Sequence, residues 1–196
     1  AITLTTAAAA GDEIEVVKYN TFSVGDAVPA SGGTFTGSIN ASAGLTTPAG
    51  HIIQVKDVTT NTKSTTTSNS WSAVSGLTLS ITPKFATSKI LVSYFLSQRT
   101  YKYGAGDAQS GFGISRDNGT TILIPTQTRV LDYGYSGVIV NQAISKSFLD
   151  SPNTTSEITY KVYFYHTNGT KTEINEYGES TPPRDESSIV LMEIAQ

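Results

Sequence analysis

The stretch Trp71-Ser72-Ala73-Val74-Ser75-Gly76-Leu77-Thr78-Leu79-Ser80-Ile81-Thr82-Pro83 decides the fold class. Trp71, Ala73, Leu77, Leu79 and Ile81 share one parity, with Ser and Thr mostly between them. A period of two places one face of a strand on a core and the other in solvent. Residues 88–97 repeat it, with Ile90, Val92, Tyr94 and Leu96 on one face. Their opposite face carries Leu91, Ser93, Phe95 and Ser97, so this strand is expected to be covered on both sides. In 156–166, Ile158, Tyr160, Val162 and Phe164 oppose Thr159, Lys161, Tyr163 and Tyr165, and Ser187 to Ile194 is a short apolar strand. Further strands are expected near 51–59, 111–116, 120–125 and 136–149.

Turn chemistry separates these runs. Asp117-Asn118-Gly119-Thr120 and Thr167-Asn168-Gly169-Thr170 each hold an Asn-Gly pair, which tolerates the positive φ of a tight hairpin turn. About eight antiparallel strands with almost no helical periodicity read as an all-β protein, a β-sandwich or jelly-roll-like head.

Composition agrees and excludes several functions. Of 196 residues only 15% are charged and 38% are hydrophobic, against roughly 25% charged in an average domain. Ser and Thr fill the deficit. With 13 basic and 16 acidic side chains the net charge is −3, which argues against a nucleic-acid partner because phosphates need clustered Lys and Arg. There is no cysteine, so disulfides and thiolate metal sites are excluded. No apolar run approaches the roughly 18 residues of a membrane span, so no membrane insertion is expected. No cofactor is expected either.

The first 50 residues read differently. Residues 1–24 read as the end of a β module, with strand-like runs around Ala10-Gly11-Asp12. Residues 25–50, rich in Gly, Ser, Ala and Thr with one charge at Asp26, form an extended linker. The head spans 51–196. Ala1-Ile2-Thr3 without an initiator Met suggests that something larger precedes it.

The linker contains Val28-Pro29-Ala30-Ser31-Gly32-Gly33-Thr34-Phe35-Thr36-Gly37-Ser38-Ile39, which closely resembles the "LPLSGGTMTG-I" segment of bacteriophage tail fibres, with Phe35 in place of the usual Met. Ile2-Thr3-Leu4-Thr5-Thr6 followed by Gly11-Asp12-Glu13-Ile14-Glu15-Val16-Val17 is similar to the last hairpin of a fibre repeat. Residues 74–83, Phe148-Leu149-Asp150-Ser151-Pro152 and 187–194 resemble C-terminal fibre modules. The resemblance implies a homotrimer at the distal end of a virion tail fibre, extracellular when acting. Its partners would be the rest of the phage tail and a host surface glycan, such as lipopolysaccharide, or an outer-membrane receptor. A non-binding assembly domain is the alternative, and a polysaccharide-degrading tailspike-type enzyme a third.

Catalytic patterns are sparse. His51 and His166 lack metal-ligand spacing, no metal is expected, and no Gly-x-Ser-x-Gly elbow occurs. Asp107, Asp132, Glu173, Glu176, Glu179 and Asp185 are the carboxylates a glycosidase would draw on, but they read as solvated loop charge. The chain reads as non-enzymatic. Tyrosine placement is the functional signal, since nine of ten Tyr fall between Tyr94 and Tyr177. Tyr supplies a flat apolar face and a hydroxyl at little conformational cost. Two clusters, Arg99-Thr100-Tyr101-Lys102-Tyr103-Gly104 and Asp132-Tyr133-Gly134-Tyr135, read as loops. The receptor candidates are Tyr101, Tyr103, Asp107, Asp132, Tyr133, Tyr135 and Tyr177, the last in the long polar loop 175–186, with trimer packing the competing use of each Tyr. Trp71 is expected to be buried.

Overall fold

The structure is a computed structural model that describes residues 9–11, 49–131, 137–168, 170–176 and 185–196. The chain divides into two compact units, Ala1–Leu45 and Thr46–Gln196. The hairpin and most of the linker read from the first 50 residues lie outside the described residues, as do Asp132, Tyr133, Tyr135 and Tyr177.

The second unit is all-β, an antiparallel sandwich of ten strands among the described residues, with no helix among them. The strands are β1 (Ile52–Thr60), β2 (Ser64–Thr66), β3 (Ser72–Ile81), β4 (Lys89–Lys102) and β5 (Ala108–Ser115). They continue as β6 (Leu123–Val130), β7 (Val138–Asp150), β8 (Ile158–Thr167), β9 (Lys171–Ile174) and β10 (Ser187–Ile194). One sheet runs β3-β8-β5-β6. The other is organised around β4, whose 14 residues pair with β7 along one edge. Along its other edge β4 pairs first with β10, backed by β1, and then with β9, backed by β2.

Alternation builds the core as expected. The even residues of β4 are buried from Ile90 to Lys102. Ile90, Val92, Tyr94 and Leu96 meet Tyr160, Val162 and Phe164 of β8, Phe112 and Ile114 of β5, and Ile189 and Leu191 of β10 in one cluster. Each aliphatic side chain so buried contributes about 1.5–3 kcal/mol. Tyr160 carries its hydroxyl into this core and donates it to Asp150 at 2.6 Å.

Four details differ from the sequence reading. The inward parity of β3 does not run through Trp71 and Ala73, because Val74 is buried and Ala73 is exposed. Between Ala73↔Tyr163 and Thr78↔Lys161 the register shifts by an odd number of residues, with Gly76 at φ +78° inside the irregularity. An odd insertion swaps the faces. Trp71 is half-buried rather than buried, its ring edge-on to Tyr165 with centroids 4.6 Å apart. Strand β6 starts at Leu123, because the Asn118-Gly119 turn belongs to a longer connection, although both residues take the expected positive φ. Finally, the odd face of β4 is not covered as its core face is. Leu91, Ser93 and Ser97 are half-buried and Phe95 is 41% exposed, because the second sheet lies only against the even side.

Candidate functional site

The last third of β4 builds the site. The residues read as a loop, Arg99 to Lys102, continue the strand, so Tyr101 sits in a ladder and not on a mobile turn. The sequence there is polar on both faces because the sandwich interior itself turns polar. Gln98, Thr100 and Lys102 point inward and are buried. Thr100 shares hydrogen bonds with Gln98 and Ser110, both at 2.9 Å, Ser110 with Thr172 at 2.5 Å, and Thr172 with His166 Nδ1 at 2.9 Å. Lys102 Nζ donates to the Gly104 carbonyl at 3.0 Å. A linked network of this kind holds strand register without apolar packing, since breaking one member leaves a buried group unpaired.

On the outer face the ladder sets Arg99 between Asn141 of β7 and Glu173 of β9, and Tyr101 between Ile139 and Lys171. Glu173 points outward yet its side chain is only 1% exposed. Its Oε1 accepts from Lys171 Nζ at 2.7 Å, Lys63 Nζ at 3.0 Å and Thr65 Oγ1 at 3.3 Å, and Lys63 also reaches Glu176 at 3.3 Å. Burial alone would push the Glu173 carboxyl up, but hydrogen bonds from Lys171, Tyr101 and Lys63 hold it down at about 2. Burial pushes the Tyr101 hydroxyl up to about 12, and the facing Glu173 carboxylate adds to that. Glu173 Oε2 and Arg99 Nε are buried without a hydrogen-bond partner among the described residues.

The two tyrosines divide their roles. Lys171 Nζ lies 4.3 Å from the Tyr101 ring centroid and the Arg99 guanidinium 5.0 Å. Both distances are within cation–π range, so Tyr101 is a hub with its ring already engaged. Tyr103 stacks beside it, centroids 6.4 Å apart and planes 24° apart, and is 51% exposed. Gly137, at φ +88°, takes a left-handed backbone that favours glycine beside the Tyr103 ring. Asp107 is engaged in an ion pair with Arg129 on the opposite sheet.

A cleft of about 410 Å³ lies nearer the middle of β4. Its lining includes Phe95, Ser97, Asn141, Asp185 and Glu186, and Asp185 accepts from Ser97 Oγ at 2.5 Å. Of the receptor candidates, Tyr101 and Tyr103 stand side by side. In the fold Asp107 lies just before β5 of the other sheet, paired with Arg129 of β6, and Arg99, Lys171 and Glu173 complete the tyrosine pair instead. Arg99 is legible from its parity with Tyr101, but Lys171 and Glu173 reach it only through the β4–β9 ladder. Two other carboxylates are also engaged: Glu173 lies in a strand and not a loop, and Glu176 is paired with Lys63. Glu179 lies outside the described residues. Among the described residues no group of three or more His, Asp or Glu could hold a metal ion.

Comparison with known proteins found no matching family model and no matching curated protein. Among solved structures, the chain is similar to the tripod from the baseplate of bacteriophage Tuc2009. Identity there is 15% over 98% of this chain and 84% of that one, with a TM-score of 0.35. It is also similar to the VP2 subviral particle of infectious bursal disease virus, at 11% identity over 72% of this chain and 32% of that one, with a TM-score of 0.33. Neither likeness assigns a role to any residue.

Proposed function

We propose that this chain is the distal part of a homotrimeric phage tail fibre and attaches the virion to a host surface glycan. The observation that carries the proposal is the Tyr103 ring, half-exposed beside Tyr101, Arg99 and Lys171. A sugar lays its C–H face on such a ring, while fixed cationic donors take its hydroxyl or acidic oxygens. The Glu173 carboxylate keeps the Lys171 ammonium in place before any ligand arrives, which lowers the ordering cost of binding. The fibre context rests on the linker phrase 28–39 and the segments that resemble fibre modules. Three weak sites on one fibre gain strength through effective concentration.

Hydrolysis is not part of the proposal. A glycosidase needs a carboxyl group poised to donate a proton near neutrality, and Glu173 at about 2 does the opposite.

The test is binding of the fluorescent full chain to an array of bacterial surface polysaccharides and to whole bacteria. Tyr103→Ala should weaken binding roughly ten-fold, the loss of about 1.4 kcal/mol, with an unchanged circular dichroism spectrum. Undiminished binding removes Tyr103 as the contact. Absence of binding to every cell and glycan, with retained binding to a purified virion component, transfers the reading to assembly. Release of reducing sugar ends would establish an enzyme.

A further inference from the structure

Partway along β4 the partner on one edge changes. Phe95 still pairs with Ser188 of β10, whereas Gln98 pairs with Ile174 of β9. Ser97 lies at that junction, where its backbone N–H donates to Ser187 Oγ at 3.1 Å and its carbonyl accepts from the Asn175 N–H at 3.0 Å. On the other edge Ser97 pairs with Ala143 of β7, between the Phe95–Ser145 and Arg99–Asn141 pairs. Two small side chains next to each other leave a dip in the outward face, and the chain entering β10 walls it with Asp185 and Glu186. This is the cleft of about 410 Å³, within the roughly 300–1,000 Å³ of small-molecule sites.

We infer that this cleft is a second glycan subsite, selective for a neutral sugar. The inference rests on the glycan-attachment reading and adds to it the class of sugar taken here. Phe95 offers a ring that is 41% exposed, a flat apolar face for sugar C–H groups. Ser97 Oγ donates to Asp185 Oδ2 at 2.5 Å, which fixes the carboxylate and leaves Oδ1 as an acceptor with no partner among the described residues. Gln142 also lines the cleft, and its Oε1 accepts from Gln98 at 2.9 Å, so its amide N–H groups are the part left to bind a ligand. Acceptors and donors side by side suit hydroxyls, which both donate and accept, better than an ammonium, which only donates. Asp185 and Glu186 have no ion-pair partner among the described residues, so they repel a uronate or a phosphate. The Tyr101–Tyr103 end has the opposite sign, because Arg99 and Lys171 lie against the Tyr101 ring. Six residues of β4 separate Phe95 from Tyr101 on the same outward face, about 20 Å. A heteropolysaccharide laid along β4 thus places a neutral unit at Phe95 and an acidic one at Tyr103.

Saturation-transfer NMR on the full 196-residue chain tests it. The probes are neutral oligosaccharides of glucose, galactose, mannose and N-acetylglucosamine, with oligosaccharides of glucuronic and galacturonic acid beside them. A neutral oligosaccharide should bind, and Phe95→Ala should weaken it roughly ten-fold with circular dichroism and sedimentation unchanged. Uronate binding should survive Phe95→Ala and be lost in Tyr103→Ala. Asp185→Asn with Glu186→Gln keeps both shapes and removes both charges, so adding the pair to Tyr103→Ala should admit uronates to the cleft and restore their binding. Neutral-sugar binding that Phe95→Ala leaves intact overturns the inference while the attachment reading stands. Uronates still excluded from the charge-free cleft, or glucosamine bound more tightly than N-acetylglucosamine, overturn the selectivity for a neutral sugar. A change of sedimentation in Phe95→Ala makes the cleft a subunit contact and overturns the subsite. A wild type that binds no saccharide removes the subsite and the attachment reading together.

Discussion

Replacing Glu173 by Gln keeps the shape of the side chain and removes the charge that gathers Lys63 and Lys171 at the candidate site. The carboxyl is held at about 2 in the folded chain against an ordinary value of 4.5. A depression of that size corresponds to about 3 kcal/mol of linkage. The two ammonium groups are 36% and 31% exposed, so water screens them and about 2 kcal/mol is the better expectation. The sign follows from the direction of the shift. A depressed carboxyl stabilises the fold fully above about pH 4.5, and the contribution is lost as pH falls through about 2. Urea unfolding of both proteins, followed by tryptophan fluorescence at several pH values from about 7 down to about 2, separates charge from shape. The variant should be less stable by about 2 kcal/mol at neutral pH, and the gap should close progressively below about pH 4.5. A gap that is constant over this range, or that widens on acidification, would refute the electrostatic account of the cluster.

Substitutions at two further positions test the frame of the sandwich. Gly111→Ala on β5 should lower stability by about 2 kcal/mol in thermal unfolding. The new Cβ would lie 1.9 Å from Tyr165 Cε1 and expel a ring that packs on Trp71 and accepts a hydrogen bond from Gln127 at 2.6 Å. Its tryptophan emission should change as well, and wild-type emission with wild-type stability would contradict this packing. Glu193→Ala should cost about 3 kcal/mol in urea unfolding. The carboxylate is fully buried and accepts from Lys84 N at 2.7 Å, Phe85 N at 3.3 Å and Gln54 Nε2 at 2.6 Å, so its loss leaves three part-buried donors without their acceptor. Glu193→Gln, which keeps one carbonyl acceptor, should lose less, and equal losses would argue against that role.

Legibility varied with how local the determining physics is. The even face of β4 and the strands at 158–167 and 187–194 were readable because apolar alternation is a property of the segment itself. Strands β2 and β9 left no such trace, since Ser64-Thr65-Thr66 and Lys171-Thr172-Glu173-Ile174 are short and mostly polar. They are strands because β4 offers β9 an edge and β9 in turn offers one to β2. The same holds for Arg99 to Lys102, where a polar interior of Gln98, Thr100, Ser110 and Thr172 erases the contrast that marks a strand. At Ala73 and Val74 the alternation itself misled, because one irregularity at Gly76 exchanges the faces. The tyrosine cluster was visible as composition, but its division into an engaged Tyr101 and a half-exposed Tyr103 was not.

By itself the sequence determined the fold class and which residues of most strands face inward, because a two-residue period and Asn-Gly turns act over a few neighbouring positions. Only the tertiary structure decided that β4 pairs directly with β7, β10 and β9, and thus that Glu173 meets Arg99 and Tyr101 more than 70 positions away. It also decided that, among the described residues, Val55, Phe95 and Leu149 stand exposed on the outward face of this sheet. Strand pairing depends on which edges remain free once the others have combined, and no local pattern carries that information.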